Sequence, residues 1–140
     1  MKSKPSKSEI DGSAFKLMEF LKRNKTDRFF NFPFSGVYPK NCCESVSLIF
    51  TYLVIEKYGL ANVSIIKGTK PEKYEHHFWV MVGDLHYDLT AHQFARCKPI
   101  IGVLKHPFFL TYPEIQVETE RNFVECSEVI TLYRNGFIPF

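Results

Sequence analysis

The chain has 140 residues and a mass of 16.4 kDa, with 45% hydrophobic and 16% aromatic residues. This composition excludes an intrinsically disordered chain and predicts one folded domain. The formal net charge is +3, from 18 Lys and Arg against 15 Asp and Glu, so the strongly basic surface typical of nucleic-acid-binding domains is missing. No apolar run approaches the roughly 20 residues that span a bilayer. We therefore expect no nucleic-acid or membrane partner.

The polar start of the chain and its cysteines predict the cellular compartment in which the protein folds. Residues 1–9 are mainly Lys, Ser and Pro, which predicts a flexible tail before a single domain at residues 10–140. This start lacks the hydrophobic region of a signal peptide, which predicts a cytoplasmic protein. The four cysteines are expected to be reduced, because a core rich in Phe and Ile needs no disulfides. They are Cys42, Cys43, Cys97 and Cys126.

The first predicted element is a helix with Ser13 as its N-cap. Its predicted core face repeats every three to four residues and consists of Ala14, Phe15, Leu17, Met18 and Leu21. Residues 26–40 then hold five aromatic residues interrupted by two prolines and a glycine. This pattern predicts a packed loop, because Pro and Gly interrupt regular elements while the aromatic rings need burial.

A second helix is predicted from Cys42 to Tyr58, where apolar residues again repeat at intervals of three and four. Asn41 is predicted as its N-cap and Gly59 as its terminator. Cys43 then lies in the first turn of this helix. The unpaired N–H groups and the positive dipole end of a first turn favour a thiolate, and the same groups can donate to an oxyanion.

The remaining elements are mainly strands. Residues 63–66 predict a strand, whereas the polar stretch from Gly68 to Glu75 is predicted not to pair, because it contains Pro71. Residues 96–117 predict short strands or loops interrupted by prolines, and residues 119–134 predict a final helix. Together with the hairpin described next, these elements predict an α+β domain in which the Cys-bearing helix packs on a small antiparallel sheet.

Residues 77–89 predict a β-hairpin with its turn at Gly83-Asp84. In this register Trp79 faces Asp88, and His77 is the diagonal neighbour of Asp88, roughly 7–8 Å away at the backbone. These side chains share one face of the sheet with Thr90, because side chains alternate along a strand. A carboxylate at this place can hold an imidazole by one ring nitrogen. Cys43, His77 and Asp88 therefore form a candidate nucleophile, base and orienting acid.

The order of these residues resembles that of papain-like and transglutaminase-like thiol enzymes. Three strings are similar to those of small bacterial proteins in this superfamily: Tyr38-Pro39-Lys40-Asn41-Cys42-Cys43 followed by Ser47, His77-Phe78-Trp79-Val80, and Asp88-Leu89-Thr90-Ala91-His92-Gln93-Phe94. The resemblance implies Cys43 as nucleophile, His77 as base and Asp88 as orienting acid, with no metal or organic cofactor. The chain departs from the family pattern at Glu44-Ser45, Phe78 and His92. Phe78 is expected to narrow the wall of the cleft.

These residues predict a thiol hydrolase or acyl transferase that acts on an amide bond of a peptide or protein, as a peptidase, amidase, deamidase or transglutaminase-like enzyme. Asn41, Trp79 and Gln93 are the candidate substrate-binding residues. Trp79 also fits a core role, and Gln93 fits a structural role in the loop after Asp88.

Other interpretations of the same residues remain open. A buried cysteine is often only a small apolar residue. Zinc binding by the adjacent pairs Cys42-Cys43 and His76-His77 is disfavoured by their spacing. A different class of function is a catalytically silent binding protein of the toxin, immunity or phage-interaction type, which would use the aromatic segment 29–38. An arylamine-acetyltransferase-like use of the triad is disfavoured by the short chain. His92 and His106 are expected to be solvated.

Overall fold

The computed structural model describes residues 4–27, 36–119 and 124–140. Within these ranges the protein is an α+β domain with three α-helices, two short 3-10 helices and five strands. The elements are, in chain order, helix α1 (Lys7–Asp27), helix α2 (Cys43–Tyr58), strands β1 (Val63–Lys70), β2 (Glu75–Val82) and β3 (Leu85–Asp88), the 3-10 helix η1 (Ala91–Gln93), strand β4 (Ile100–Val103), the 3-10 helix η2 (Pro107–Thr111), strand β5 (Glu114–Glu118) and helix α3 (Cys126–Arg134). None of the described helices is both long enough and apolar enough to cross a membrane.

Helix α1 begins at Lys7, so residues 7–9, which the sequence predicted as part of the tail, are helical. The reason is a capping box. The Glu9 N–H donates to Ser6 Oγ, and the Ser6 N–H donates to Glu9 Oε1, both at 3.2 Å. Ser13, the predicted N-cap, instead lies buried in the middle of α1, with its hydroxyl 2.6 Å from the hydroxyl of Tyr58.

Helix α2 is the central helix of the domain, and its ten consecutive residues 45–54 are all buried. Its predicted end is confirmed: Gly59 adopts a left-handed conformation (φ 67°), and its N–H donates to Ile55 O at 2.8 Å. The predicted N-cap is wrong by one residue. Cys42 is the N-cap, without a side-chain hydrogen bond, and Asn41 precedes it with a positive φ of 54°.

The five strands form one antiparallel sheet in the order β4-β3-β2-β1-β5. Strand β1 pairs with β2 over eight residues, from Val63 opposite Val82 to Lys70 opposite Glu75. The prediction that Gly68–Lys70 would not pair is therefore wrong. Pro71 begins the turn after the strand, where its missing N–H costs no ladder hydrogen bond.

The predicted register of the β2–β3 hairpin is confirmed, with Val82 opposite Leu85 and Val80 opposite Tyr87. The short strands β4 and β5 fall within the region predicted to hold such strands. Helix α3 is shorter than predicted, because it begins only at Cys126. In the predicted aromatic loop, residues 28–35 lie outside the described residues, whereas Tyr38 is buried.

Strand β2 contributes to two cores, one on each face of the sheet. Phe78, Val80 and Val82 join the larger core that the three α-helices cover. Trp79, in between, joins a smaller core formed with Ile66, Ala91, Ile100, Phe109 and Tyr112. His77 shares its face of the strand with Trp79, since side chains alternate. The fold thus places His77 on the side of the sheet that η2 covers, at the beginning of β2.

Candidate active site

His77 and Asp88 form a buried pair across the β2–β3 hairpin. The His77 Nε2 lies 2.6 Å from Asp88 Oδ2, and both side chains are 1% exposed. The other carboxylate oxygen, Oδ1, accepts hydrogen bonds from the Thr90 N–H at 3.1 Å and the Thr90 hydroxyl at 3.3 Å. Both oxygens of Asp88 are therefore hydrogen-bonded, which fixes the carboxylate and, through it, one edge of the imidazole.

Cys43 is the third member of the cluster. It is the first residue of α2, it is partly exposed, and it lies close enough to His77 to act on the pKa of the imidazole. Because Nε2 of His77 contacts Asp88, Nδ1 is the ring nitrogen that does not take part in that contact. The structure thus brings together Cys43, His77 and Asp88, the three residues that the sequence singled out as nucleophile, base and acid.

The charge of His77 follows from these two neighbours. Burial alone would lower the pKa of the imidazole, but the hydrogen bond to Asp88, the interaction with Cys43 and the negative charges of both groups raise it to about 9. At neutral pH the ring is then an imidazolium between two groups that can carry negative charge. A positively charged ring at this place can stabilise negative charge on a neighbouring group or on a reaction intermediate.

Among the described residues, four aromatic rings enclose the imidazole. Tyr112 and Trp79 stack near it with centroid distances of 5.5 and 6.0 Å, while Phe94 and Phe108 meet it edge-on at 5.3 and 5.4 Å. Burial, followed by the negative charges of Glu75, Cys43 and Asp88, raises the pKa of Tyr112 to about 12. The rings keep water from His77 and restrict its orientation, which strengthens the electrostatic interactions within the cluster.

This enclosure depends on Gly68, which lies opposite His77 on β1. A Cβ at this position would stand 2.7 Å from Trp79 Cζ3 and 2.7 Å from Tyr112 Cβ. Sequence reasoning missed Tyr112 and Phe108 as neighbours of the site. They come from a segment without periodicity, whose high aromatic content was the signal that could have pointed to them.

The three candidate substrate-binding residues have different positions. Trp79 is 1% exposed, and its Nε1 donates to His86 Nδ1 at 3.0 Å, so in this structure it has the core role that the sequence also allowed. Asn41 is exposed and Gln93 is half-buried beside the cluster. The Asn41 N–H donates to Gln93 Oε1 at 3.4 Å, and Gln93 Nε2 lies 3.5 Å from the Thr90 hydroxyl. Direct contact of these residues with substrate stays a prediction.

The departures from the family pattern also have defined positions. Glu44 follows Cys43 in the first turn of α2, and Phe78 points to the helix-covered core, on the opposite face of β2 from His77. The prediction that His92 and His106 are solvated is wrong, because both are half-buried. His92 packs edge-on against Tyr38, and its Nδ1 is buried without a hydrogen-bond partner among the described residues. His106 Nδ1 accepts from the Phe108 N–H at 3.0 Å.

The remaining cysteines differ from Cys43 in environment. Cys42 is buried, and burial, with the neighbouring Cys43 charge, raises its pKa to about 12, which suits a structural residue rather than a nucleophile. Burial also raises the pKa values of Cys97 and Cys126. All four cysteines are free thiols, as predicted. Within the described part of the chain, no three His, Cys, Asp or Glu side chains form a group that could hold a metal ion.

Comparisons with known proteins add no further identification. No family model matches the chain, and no curated protein or solved structure is significantly similar to it. Function is therefore inferred from the geometry of Cys43, His77 and Asp88.

Proposed function

We propose that this protein is a thiol hydrolase or acyl transferase that acts on an amide bond, with Cys43, His77 and Asp88 as its catalytic residues. The observation that carries this proposal is the position of the His77 ring, held by Asp88 at 2.6 Å and near enough to Cys43 for the two side chains to interact. A cysteine at a helix start with such a partner has the environment of a reactive thiolate. The fold would be of the papain-like or transglutaminase-like type.

In the proposed reaction, the Cys43 thiolate attacks the carbonyl carbon and forms a C–S bond, while the carbonyl electron pair moves to oxygen. First-turn N–H groups of α2 have no acceptor within the helix, so the Cys43 N–H can donate to this oxyanion. The tetrahedral intermediate collapses with cleavage of the C–N bond. The imidazolium of His77 gives its proton to the departing amine, which leaves an acyl-enzyme and a neutral imidazole.

The second half of the reaction returns the enzyme to its starting state. Neutral His77 takes a proton from water, or from an acceptor amine, as that molecule attacks the thioester carbon. The C–S bond then breaks and the thiolate leaves, with its imidazolium partner restored. Asp88 keeps the ring in one orientation through both halves and stabilises its positive charge. The substrates that suit this chemistry are peptide bonds and the carboxamide of a glutamine side chain.

The first experiment measures alkylation of Cys43 by iodoacetamide at pH 6.5, read by peptide mass spectrometry. We expect Cys43 to react at least about tenfold faster than Cys126 in the same molecule, because His77 favours its thiolate. In His77→Gln, checked for folding by circular dichroism, this advantage should disappear. Equal and slow labelling of Cys43 in wild type and in His77→Gln would overturn the proposal.

The second experiment looks for products. The wild-type protein and Cys43→Ser are incubated with a library of glutamine-containing peptides, with and without a primary amine, and product masses are compared. Cleavage, deamidation or amine incorporation that requires Cys43 would identify the reaction. A biological effect that survives Cys43→Ser would instead favour the binding-protein alternative, whose predicted contact residues lie largely in segment 28–35, outside the described residues.

A further inference from the structure

The hydrogen bonds of the site continue beyond Asp88 and return to the loop that carries the nucleophile. Asp88 Oδ1 accepts from the Thr90 hydroxyl at 3.3 Å, and Thr90 Oγ1 in turn accepts from Gln93 Nε2 at 3.5 Å. Gln93 Oε1 then accepts from the backbone N–H of Asn41 at 3.4 Å. Asn41 is two residues before Cys43. The side chain of Gln93 therefore links the backbone just before Cys43, through Thr90, to the carboxylate that holds His77.

The backbone held by Gln93 is unusual in two respects. Asn41 adopts a left-handed conformation (φ 54°), which is uncommon for a residue other than glycine. Cys42, the N-cap of α2, makes no side-chain hydrogen bond to the first turn. The start of α2 thus lacks the usual side-chain cap. Without this cap, the position of the backbone at Asn41 and Cys42 depends more strongly on contacts from outside the helix, such as the hydrogen bond to Gln93.

A second contact crosses between the same two loops. The Tyr38 hydroxyl donates to Leu89 O at 2.7 Å, between the residue that follows Asp88 and the segment that leads to Cys43. The Tyr38 contact joins the two segments without touching the carboxylate. Of these two contacts, the Gln93 contact is the one that connects the start of the helix to the hydrogen-bond donors of Asp88.

We propose that Gln93 is a positioning residue that couples the placement of Cys43 to the orientation of the Asp88 carboxylate and hence of the His77 ring. This inference rests on the proposed function. A primary amide suits the task because it accepts at Oε1 and donates at Nε2 within one plane. A carboxylate at position 93 can still accept from Asn41 but cannot donate to Thr90. A leucine of similar size can do neither.

The test compares Gln93→Leu and Gln93→Glu with the wild type in the iodoacetamide reaction of Cys43 over pH 5.5–9. We expect Gln93→Leu to slow alkylation about tenfold at pH 6.5 and to move the pH profile toward alkaline pH, because misplacing one reacting group by a fraction of an ångström weakens the Cys43–His77 pair. The alkylation rate of Gln93→Glu should lie between those of the wild type and Gln93→Leu. A matched control is Gln116→Leu on the exposed edge strand β5, which should leave the profile unchanged.

The outcomes separate this inference from the proposed function. A purely structural role for Gln93 would lower the melting temperature without moving the pH profile, and that result would overturn the inference. The inference also fails if Gln93→Leu matches the wild type while His77→Gln loses the fast reaction, and the proposed function would then stand. If His77→Gln also reacts like the wild type, both proposals fail.

Discussion

The His77 Nε2 lies 2.6 Å from Asp88 Oδ2, in a place where both side chains are almost fully buried. A buried carboxylate is costly unless charged or polar partners satisfy it, and here His77 and Thr90 do so. The proposed chemistry and the stability of the fold therefore depend on the same contact. A change to either residue of the pair should alter both.

Replacement of Asp88 by asparagine should remove the fast alkylation of Cys43. The variant keeps the shape of the side chain but removes its charge. Burial lowers the pKa of His77, and the charge of Asp88 would no longer counteract this effect. The imidazolium would therefore be lost near neutral pH. We expect the alkylation rate at pH 6.5 to fall about tenfold or more, because a neutral ring no longer stabilises negative charge on the Cys43 sulfur. The rate is measured from pH 5.5 to 9, with Thr90→Val as a milder comparison. An unchanged profile in Asp88→Asn would show that the carboxylate does not control His77.

The pH dependence of stability should report the same pair. The pKa of His77 is raised from an ordinary value near 6.5 to about 9, so the folded state holds a proton that the unfolded state releases. This contribution to the free energy of unfolding is fully present below about pH 6.5 and is lost as pH rises through 9. It amounts to about 3 kcal/mol.

Urea unfolding at pH values from 6 to 9 measures this contribution. The wild type should lose stability across the range, whereas His77→Gln should start less stable and lose less. The matched control is His76→Gln, since His76 is exposed and its ring hydrogen-bonds the Thr69 hydroxyl instead of a buried carboxylate. A parallel decline in wild type and His77→Gln would mean that folding does not raise the pKa of His77.

Gly68→Ala should destabilise the protein, because the added methyl group would stand 2.7 Å from both Trp79 and Tyr112. Overpacking of this kind typically costs about 1–3 kcal/mol. The control is Gly12→Ala, in α1, where an added Cβ meets nothing within 4 Å. That change should stabilise the helix by about 0.5–1 kcal/mol. Thermal unfolding of both variants gives the comparison, and a neutral Gly68→Ala would show that the aromatic enclosure can open without cost.

Ser6→Ala should weaken the start of α1, since the Ser6 hydroxyl accepts from the Glu9 N–H. Loss of an N-cap side chain costs typically about 1 kcal/mol. Ser8→Ala is the matched control, because Ser8 is exposed inside the first turn and is not the cap. In chemical unfolding, the free energies of unfolding of the two variants should differ by most of that amount. If they unfold together, the capping box does not determine where α1 begins.

Local rules were sufficient for part of the fold and for the central pair of the site. The alternation of residues 77–89 around Gly83-Asp84 predicts the correct register, and this register alone makes His77 and Asp88 diagonal neighbours. Gly59 was identifiable as the end of α2 because a left-handed residue at that place is usually glycine. Both features depend on residues that are close in sequence.

Most of the features that were not predicted depend on contacts between distant segments. Gly68 was predicted to be unpaired, but it lies within β1, where Trp79 and Tyr112 occupy the space that a larger side chain would need. Asn41 is a residue type that often serves as an N-cap. Here it has a positive φ, and its backbone N–H donates to Gln93, which is 52 residues away in sequence. The capping box of Ser6 and Glu9 is an exception, because it was visible in the sequence as a Ser-x-x-Glu pattern.

Strand β2 sends alternate side chains into the helix-covered core and toward the imidazole pocket. A slip of one residue in its pairing would bury His77 beneath the helices and turn Phe78 outward in its place. Such a misfolded molecule would hold no base beside its thiol. The fraction of molecules that react rapidly with an alkylating reagent should therefore equal the fraction that has folded in the correct register, so a chemical titration of the thiol also serves as an assay of folding quality.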